Sequence, residues 1–354
     1  MLLCQAAMIR AVGDGYAAGV SSPARDRPRF QLFDGPSPLA PLTRLSAELG
    51  GRAEVWIKRE DLLPLAFGGN KLRNLEFLVG AALAEGADTL VTVGRRWSNH
   101  CRLTAAAGAV AGLDVHLVLS GPPTDPPNPG TRLDVLLGAV VHQALTADRS
   151  ERDSIVERVV GELHAAGRQP YLVPVGGGGP IGAMGQLLAA GELMTQAGAR
   201  GMAIESIVLP SATGVTQAGL LAGLRAGGSA ATVVGVAVAH PPEEVRPTIV
   251  DLLAELGETT GVPVDPAQIE LDGGELGSGY GFVTEPAGEA TRLLARAEGI
   301  LVDPIYTAKA LAGLIRRVRE GRADGRAVVF WHAGGLPGLF EPLEGQPQAG
   351  PPRR

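Results

Sequence analysis

The sequence predicts an α/β fold of about two domains built on parallel sheets, and three observations lead there. Short runs rich in Val, Ile and Leu recur along the chain, amphipathic helical patterns separate them, and 354 residues are too many for one small core. Strands that alternate with helices are joined by crossovers, which lay helices on both faces of parallel sheets.

In chain order, "AEVWIK" (53–58), "TLVTVG" (89–94), "VHLVLS" (115–120), "PYLVPV" (170–175), "SIVLP" (206–210), "TVVGVAV" (232–238) and "AVVFWH" (327–332) read as buried strands. After the first, Leu72, Leu75, Val79 and Leu83 share one face of a helix; before the fourth, Ile155, Val159 and Leu163 share another. The segment "GPPTDPPNPG" (121–130) holds too much proline for either element and reads as an exposed loop. Residues 1–25 and 346–354 read as peripheral tails.

Composition narrows the function. With 45% hydrophobic and 19% charged residues the chain should fold as a globule, and a net charge of −6 offers no general attraction for nucleic acid or anionic lipid. Two cysteines, Cys4 and Cys101, make no disulfide framework, and six scattered histidines show no metal-ligand spacing. The start "MLLCQAAMIRAVGDG" lacks the basic, apolar and cleavage regions of a secretion signal, and no apolar stretch approaches the roughly 18 residues of a bilayer span. The expectation is a cytoplasmic protein without membrane, nucleic-acid or metal partners.

Four segments point to chemistry. "FGGNKLRNLEFLV" (67–79) sets Lys71 at the mouth of a helix behind two glycines, a setting a merely solvated lysine does not need. "SATGVT" (211–216) joins a strand to a helix through small and hydroxyl residues, as phosphate-binding loops do; an ordinary βα turn with a hydroxyl N-cap is the simpler alternative. No Walker lysine or G-x-G-x-x-G accompanies it, so a nucleotide is not indicated. "VGGGGPIGAMG" (175–185) allows close approach of a ligand, or a hinge. In "GRRWSNHCR" (94–102), Ser98 or Asn99 can cap a helix, and with His100 they can orient a small carboxylate; the simpler alternative leaves His100 on the surface.

With "IKREDL…FGGNK", "SNH", "TGVTQAG" and "EGILVDPIYTAKALAGL" in that order, the chain resembles the D-cysteine desulfhydrase and 1-aminocyclopropane-1-carboxylate deaminase family, from about "FDGPSPLAPLTRLSAELG" to "HAGGLPGLFE". These are pyridoxal-phosphate enzymes of fold type II, the tryptophan synthase β-like architecture. The resemblance implies two open twisted parallel-sheet domains with the cofactor, pyridoxal 5'-phosphate, between them. The large domain would combine 26–71 and 183–345, and the small one would be an insert over 72–182. It implies a homodimer and a small amino-acid substrate.

Residue by residue, Lys71 matches the lysine that forms the Schiff base with the cofactor and then moves the Cα proton, and Asn70 precedes it as in the family. Ala212, Thr213, Gly214, Val215 and Thr216 match the phosphate cup. Ser98, Asn99 and His100 match the loop that holds the substrate carboxylate and flanks the pyridine ring. Tyr280 and Tyr306 match two active-site tyrosines, and Thr307 stands where a residue faces the pyridine nitrogen. Deaminases carry glutamate there, and glutamine in place of His100, so both positions favour the desulfhydrase branch: α,β-elimination from a β-substituted alanine. A deaminase, a lyase for another β-substituted amino acid, and a non-catalytic binding protein are the alternatives. The departures gather at the pocket. Asn74 replaces a lysine that helps neutralise the phosphate, Arg95, Arg96 and Trp97 stand beside the carboxylate loop, Gly178 and Gly179 lie in a normally more polar segment, and Val215 and Ala333 replace hydroxyl residues. An arginine at 95 or 96 could meet a second anionic group on the substrate.

Overall fold

The computed structural model describes residues 27–121, 127–145, 148–323 and 325–343. In order the elements are β1 (Leu39–Pro41), α1 (Thr43–Glu48), β2 (Glu54–Arg59), α2 (Lys71–Ala84), β3 (Thr89–Arg95), α3 (Asn99–Ala111), β4 (Asp114–Ser120), α4 (Pro129–Leu136), β5 (Val140–Ala144), α5 (Arg149–Ala165) and β6 (Pro170–Leu172). There follow α6 (Gly179–Gly198), β7 (Ile204–Ser211), α7 (Val215–Ala226), β8 (Thr232–Ala237), α8 (Pro242–Thr260), β9 (Glu270–Asp272), α9 (Glu285–Glu298), α10 (Thr307–Arg319) and β10 (Ala327–His332).

Two sheets result, one in the order β1-β2-β10-β7-β8-β9 and one in the order β5-β4-β3-β6. All their pairings are parallel except that of β1 with β2, an antiparallel edge the sequence reading did not include. Each sheet is covered on both faces, and alternation along the strands sorts the side chains. Ile207, Leu209, Val233 and Trp331 pack toward α6, α7 and α8, whereas Val208, Val234, Val236 and Phe330 pack toward α1, α9 and α10. In the smaller sheet Leu90, Leu117 and Leu119 face α2 and α3, while Val91, Val93 and Val118 face α5. Phe30, Leu32, Phe33 and Leu63 join the cluster under the smaller sheet although they precede its strands.

Two sequence expectations need correction. The glycine segment 175–185 is not one loop: a short turn at Val175–Gly177 leads straight into α6, and β6 ends at Leu172. The glycines within α6 and α7 serve close helix packing, since a Cβ at Gly185 would stand 2.0 Å from the Arg73 carbonyl oxygen and one at Gly223 2.4 Å from that of Leu187. The proline-rich stretch 121–130 is not wholly exposed, because Asn128 and Gly130 are buried and Pro129 opens α4; residues 122–126 lie outside the described residues. The expected tails 1–25 and 346–354 also lie outside them.

The winding direction reverses beside β3 in one sheet, where β4 lies on one side and β6 on the other, and beside β7 in the other, where β8 and β10 flank it. Such switch points leave a crevice at the carboxyl ends of the strands. The segments after β2, β3, β6, β7, β9 and β10 carry the candidate site residues.

Candidate active site

The approach to Lys71 is a forced bend. Ala66, Phe67, Gly68 and Gly69 all take left-handed φ, at +44°, +66°, +64° and +130°. A Cβ at Gly68 would lie 2.2 Å from the Asp61 carbonyl oxygen, so no other residue fits there. Strain of this kind costs about 1–3 kcal/mol per non-glycine residue and persists where surroundings over-determine it. Asn70 supplies those surroundings: its N–H donates to the Ala333 carbonyl (3.0 Å), its side-chain amide to Thr216 Oγ1 (2.9 Å), and its carbonyl accepts from Gln186 Nε2 (2.8 Å). Lys71 is then the first residue of α2. It is partly accessible as a residue, yet the surrounding protein desolvates its ammonium and pulls the pKa down to about 8.

Behind Lys71, α2 is clamped by a buried charge cluster. Arg73 reaches Glu60 (2.5 Å) and Glu192 (2.9 Å), and Lys58 pairs with Glu192; all four are at most 4% exposed.

The 211–216 loop leaves β7 and enters α7 through Gly214, at φ +79°. A Cβ there would meet Ile249 at 2.4 Å. No side chain caps this helix, so its first N–H groups are left for an anion, with the Thr213 and Thr216 hydroxyls beside them and Ala212 and Val215 completing the loop. The glycine turn closes over it: a Cβ at Gly176 would stand 3.0 Å from Thr213 Cγ2. The Asn74 amide is engaged at both ends, donating to the Gly177 carbonyl (2.9 Å) and accepting from Gln186 (2.6 Å).

After β3, Ser98 caps α3 by accepting from the Cys101 N–H (3.2 Å). Asn99 Oδ1 accepts from Arg102 (3.1 Å), while its Nδ2 lies beside Gly335. His100 is not a surface residue; it is 3% exposed. The Thr92 hydroxyl gives its single proton to the Val173 carbonyl (2.8 Å), so its oxygen accepts from His100 Nε2 (3.0 Å). That fixes the tautomer and leaves Nδ1 as a bare, buried acceptor. Burial, with Lys71 close by, drives the imidazole pKa down to about 3, so the ring is neutral.

Tyr280 and Tyr306 hydrogen-bond through their hydroxyls, and burial raises the pKa of both. Trp97 meets Tyr280 edge-on at 6.0 Å and lies against Gly281. The two arginines part company: the Arg95 guanidinium sits over the Tyr280 ring (5.9 Å), that of Arg96 over Trp97 (5.0 Å). Thr307 opens α10, and its N–H and hydroxyl both donate to Asp303 Oδ1 (3.0 and 2.5 Å).

The fold therefore gathers the residues singled out on sequence into one region spanning the ends of both sheets. Sequence reasoning missed Gln186, Asp303, Lys309 and the Glu60–Glu192 clamp. One signal was available for the lysines. The chain has 28 arginines and only three lysines, Lys58, Lys71 and Lys309, so a retained lysine marks a place where arginine does not serve.

A family model for pyridoxal-phosphate dependent enzymes matches residues 30–334. A D-cysteine desulfhydrase of Yersinia enterocolitica is 40% identical over 317 residues, covering 88% of this chain and 95% of the relative. One from Salmonella choleraesuis is 40% identical over 319 residues, with 88% and 95% covered. The crystal structure of an ACC deaminase homologue superposes with a TM-score of 0.84 at 36% identity, covering 90% of this chain and 95% of that one.

Proposed function

The chain belongs to the pyridoxal-phosphate dependent enzyme family, and from that premise we propose that it is a carbon–sulfur lyase of the D-cysteine desulfhydrase type, with Lys71 as the residue that holds the cofactor. The residues fit the group. The uncapped N-terminus of α7 and the Thr213 and Thr216 hydroxyls suit its phosphate, and the desolvated Lys71 amine suits its aldehyde. The observation that carries the reading is the Asn70–Thr216 hydrogen bond, which draws the residue next to Lys71 against the anion-binding loop.

When bound, the cofactor spreads the electron pair left at the Cα of an amino acid, so that a β-substituent can leave. The protein supplies the rest. The N-terminus of α3, with Ser98 and the Asn99 amide, holds the substrate carboxylate. His100 Nδ1, which carries no proton in the neutral ring, offers an acceptor to a donor on the bound ligand. Lys71, with a pKa of about 8, takes the Cα proton. The Tyr280–Tyr306 pair, kept protonated by burial, donates to the departing thiolate. The balance is D-cysteine plus water giving pyruvate, ammonia and hydrogen sulfide. Thr307, tied to Asp303 in place of a deaminase glutamate, and His100 support elimination over ring opening. The test is a comparison of D-cysteine, L-cysteine and aminocyclopropane carboxylate as substrates. Equimolar pyruvate and sulfide from D-cysteine alone upholds the reading, and ring opening as the faster reaction replaces it.

We also propose that residues 72–182 form the small domain, supported by the four-stranded sheet lying wholly within them. No helix among the described residues is long and apolar enough to cross a membrane. A homodimer in the cytoplasm completes the proposal, supported by the family membership and by the lack of a disulfide framework.

A further inference from the structure

Tyr280 sits in a segment, residues 273–281, with five glycines in nine positions. Gly277, Gly279 and Gly281 take φ of +65°, +129° and +85°, and the segment forms no helix or strand of its own. Its internal backbone hydrogen bonds are long, 3.2 Å from Leu276 N–H to Gly273 and 3.3 Å from Phe282 N–H to Gly279. Glycine loses more conformational freedom on ordering than any other residue, so such a backbone does not hold a tyrosine hydroxyl in place by itself. Contacts from outside must do it.

Lys309 provides them from the first turn of α10, three residues after Tyr306. Its side chain is fully buried, and its ammonium donates to the carbonyls of Leu276 (2.8 Å) and Gly279 (3.4 Å), the latter immediately before Tyr280. The turn that presents Lys309 is itself pinned, since the Asp303 carboxylate accepts from the N–H groups of Ile305, Tyr306 and Thr307. One helical turn thus displays Tyr306 and grips the loop of Tyr280. A residue that only filled space here would be apolar, because an ammonium out of water is costly unless its donors are used. We propose that Lys309 is a positioning residue that sets the Tyr280 hydroxyl against Tyr306, and so places the proton-donating pair over the substrate. Burial pulls the Lys309 ammonium down to about 8, while the Glu275 and Asp303 carboxylates facing it favour its charged form.

The kinetic arm of the test rests on the lyase reading; the exchange arm does not. Lys309→Met keeps the length of the side chain and removes its donors. In the holoenzyme, backbone amides of 276–282 should then exchange with deuterium at least about tenfold faster, and kcat/KM for D-cysteine should fall by about a hundredfold, mainly in kcat. In a Tyr280→Phe background the same substitution should add little, because Lys309 acts through that hydroxyl. Lys309→Gln, which keeps a donor, should restore part of both. If the methionine variant does not fold, the glutamine variant carries the comparison. Unchanged exchange, losses that multiply in the double variant, or failure of both variants to fold would each overturn the proposal. Should the unmodified enzyme leave D-cysteine untouched, the lyase reading falls and the exchange measurement still decides the role of Lys309.

Discussion

Replacing Arg73 by methionine tests whether the buried charge cluster sets the helix that carries Lys71. The guanidinium makes two bonds to Glu60, at 2.5 and 2.8 Å, and two to Glu192, at 2.9 and 3.0 Å, in a place that is 3% exposed. Without it Glu60, fully buried, keeps only the Ser37 hydroxyl as a partner, and two carboxylates face the single charge of Lys58. Removing one member of such a cluster costs about 3–5 kcal/mol, because a charge is left in the interior without compensation. Restoring the balance should return most of it: in Arg73→Met with Glu60→Gln, the Lys58–Glu192 pair remains whole. The comparison belongs at pH 7. Burial alone pushes the Glu192 carboxyl up, yet Arg73 and Lys58 hold it below its usual 4.5, so its contribution is present above that value and is lost as the pH falls through the folded-state value. Urea unfolding of cofactor-free protein gives the differences without a ligand contribution. A single variant that loses less than about 1 kcal/mol, or a double variant no more stable than the single, would refute the reasoning.

Two further outcomes follow from the site. Lysine reacts as the free amine, so with a pKa of about 8 the rate at which cofactor-free protein takes up pyridoxal phosphate should rise with pH and level off above 8; a rise continuing toward 10.5 would mean that Lys71 is not desolvated. Because Arg95 lies over Tyr280 and Arg96 over Trp97, Arg95→Ala should lower kcat/KM for a β-substituted substrate bearing a second anionic group by about tenfold more than for D-cysteine, and Arg96→Ala should not; equal effects on both substrates would remove Arg95 from substrate recognition.

Much of this architecture can be read from residues alone, because buried parallel strands are runs of β-branched residues whatever surrounds them. The segments 206–210 and 327–332 lie within or match β7 and β10. Three of the four edge strands are illegible for the same physical reason. β1 ends in Pro41, β9 is Glu270–Asp272 with two acids in three residues, and β5 has an exposed Val140, so none of them shows a two-sided apolar run. α6 was hidden by its glycines, whose weak helix propensity is outweighed by close packing of Gly182 and Gly185 against the backbone of Gly177 and Arg73. At the site, His100 looked superficial because only the fold brings Thr92 beneath it. Lys309 went unread because its partners are backbone carbonyls, which no side-chain pattern betrays.

The central claim is that Lys71 holds the cofactor, and three lysines in the chain make that claim unusually easy to test. The holoenzyme would be treated with borohydride, digested, and its peptides mapped by mass spectrometry. We expect the pyridoxyl-phosphate mass on the peptide containing Lys71 and on no other, with loss of activity in proportion to labelling. A label on Lys58 or Lys309, or no label on a protein that binds the cofactor and remains active, would contradict the account.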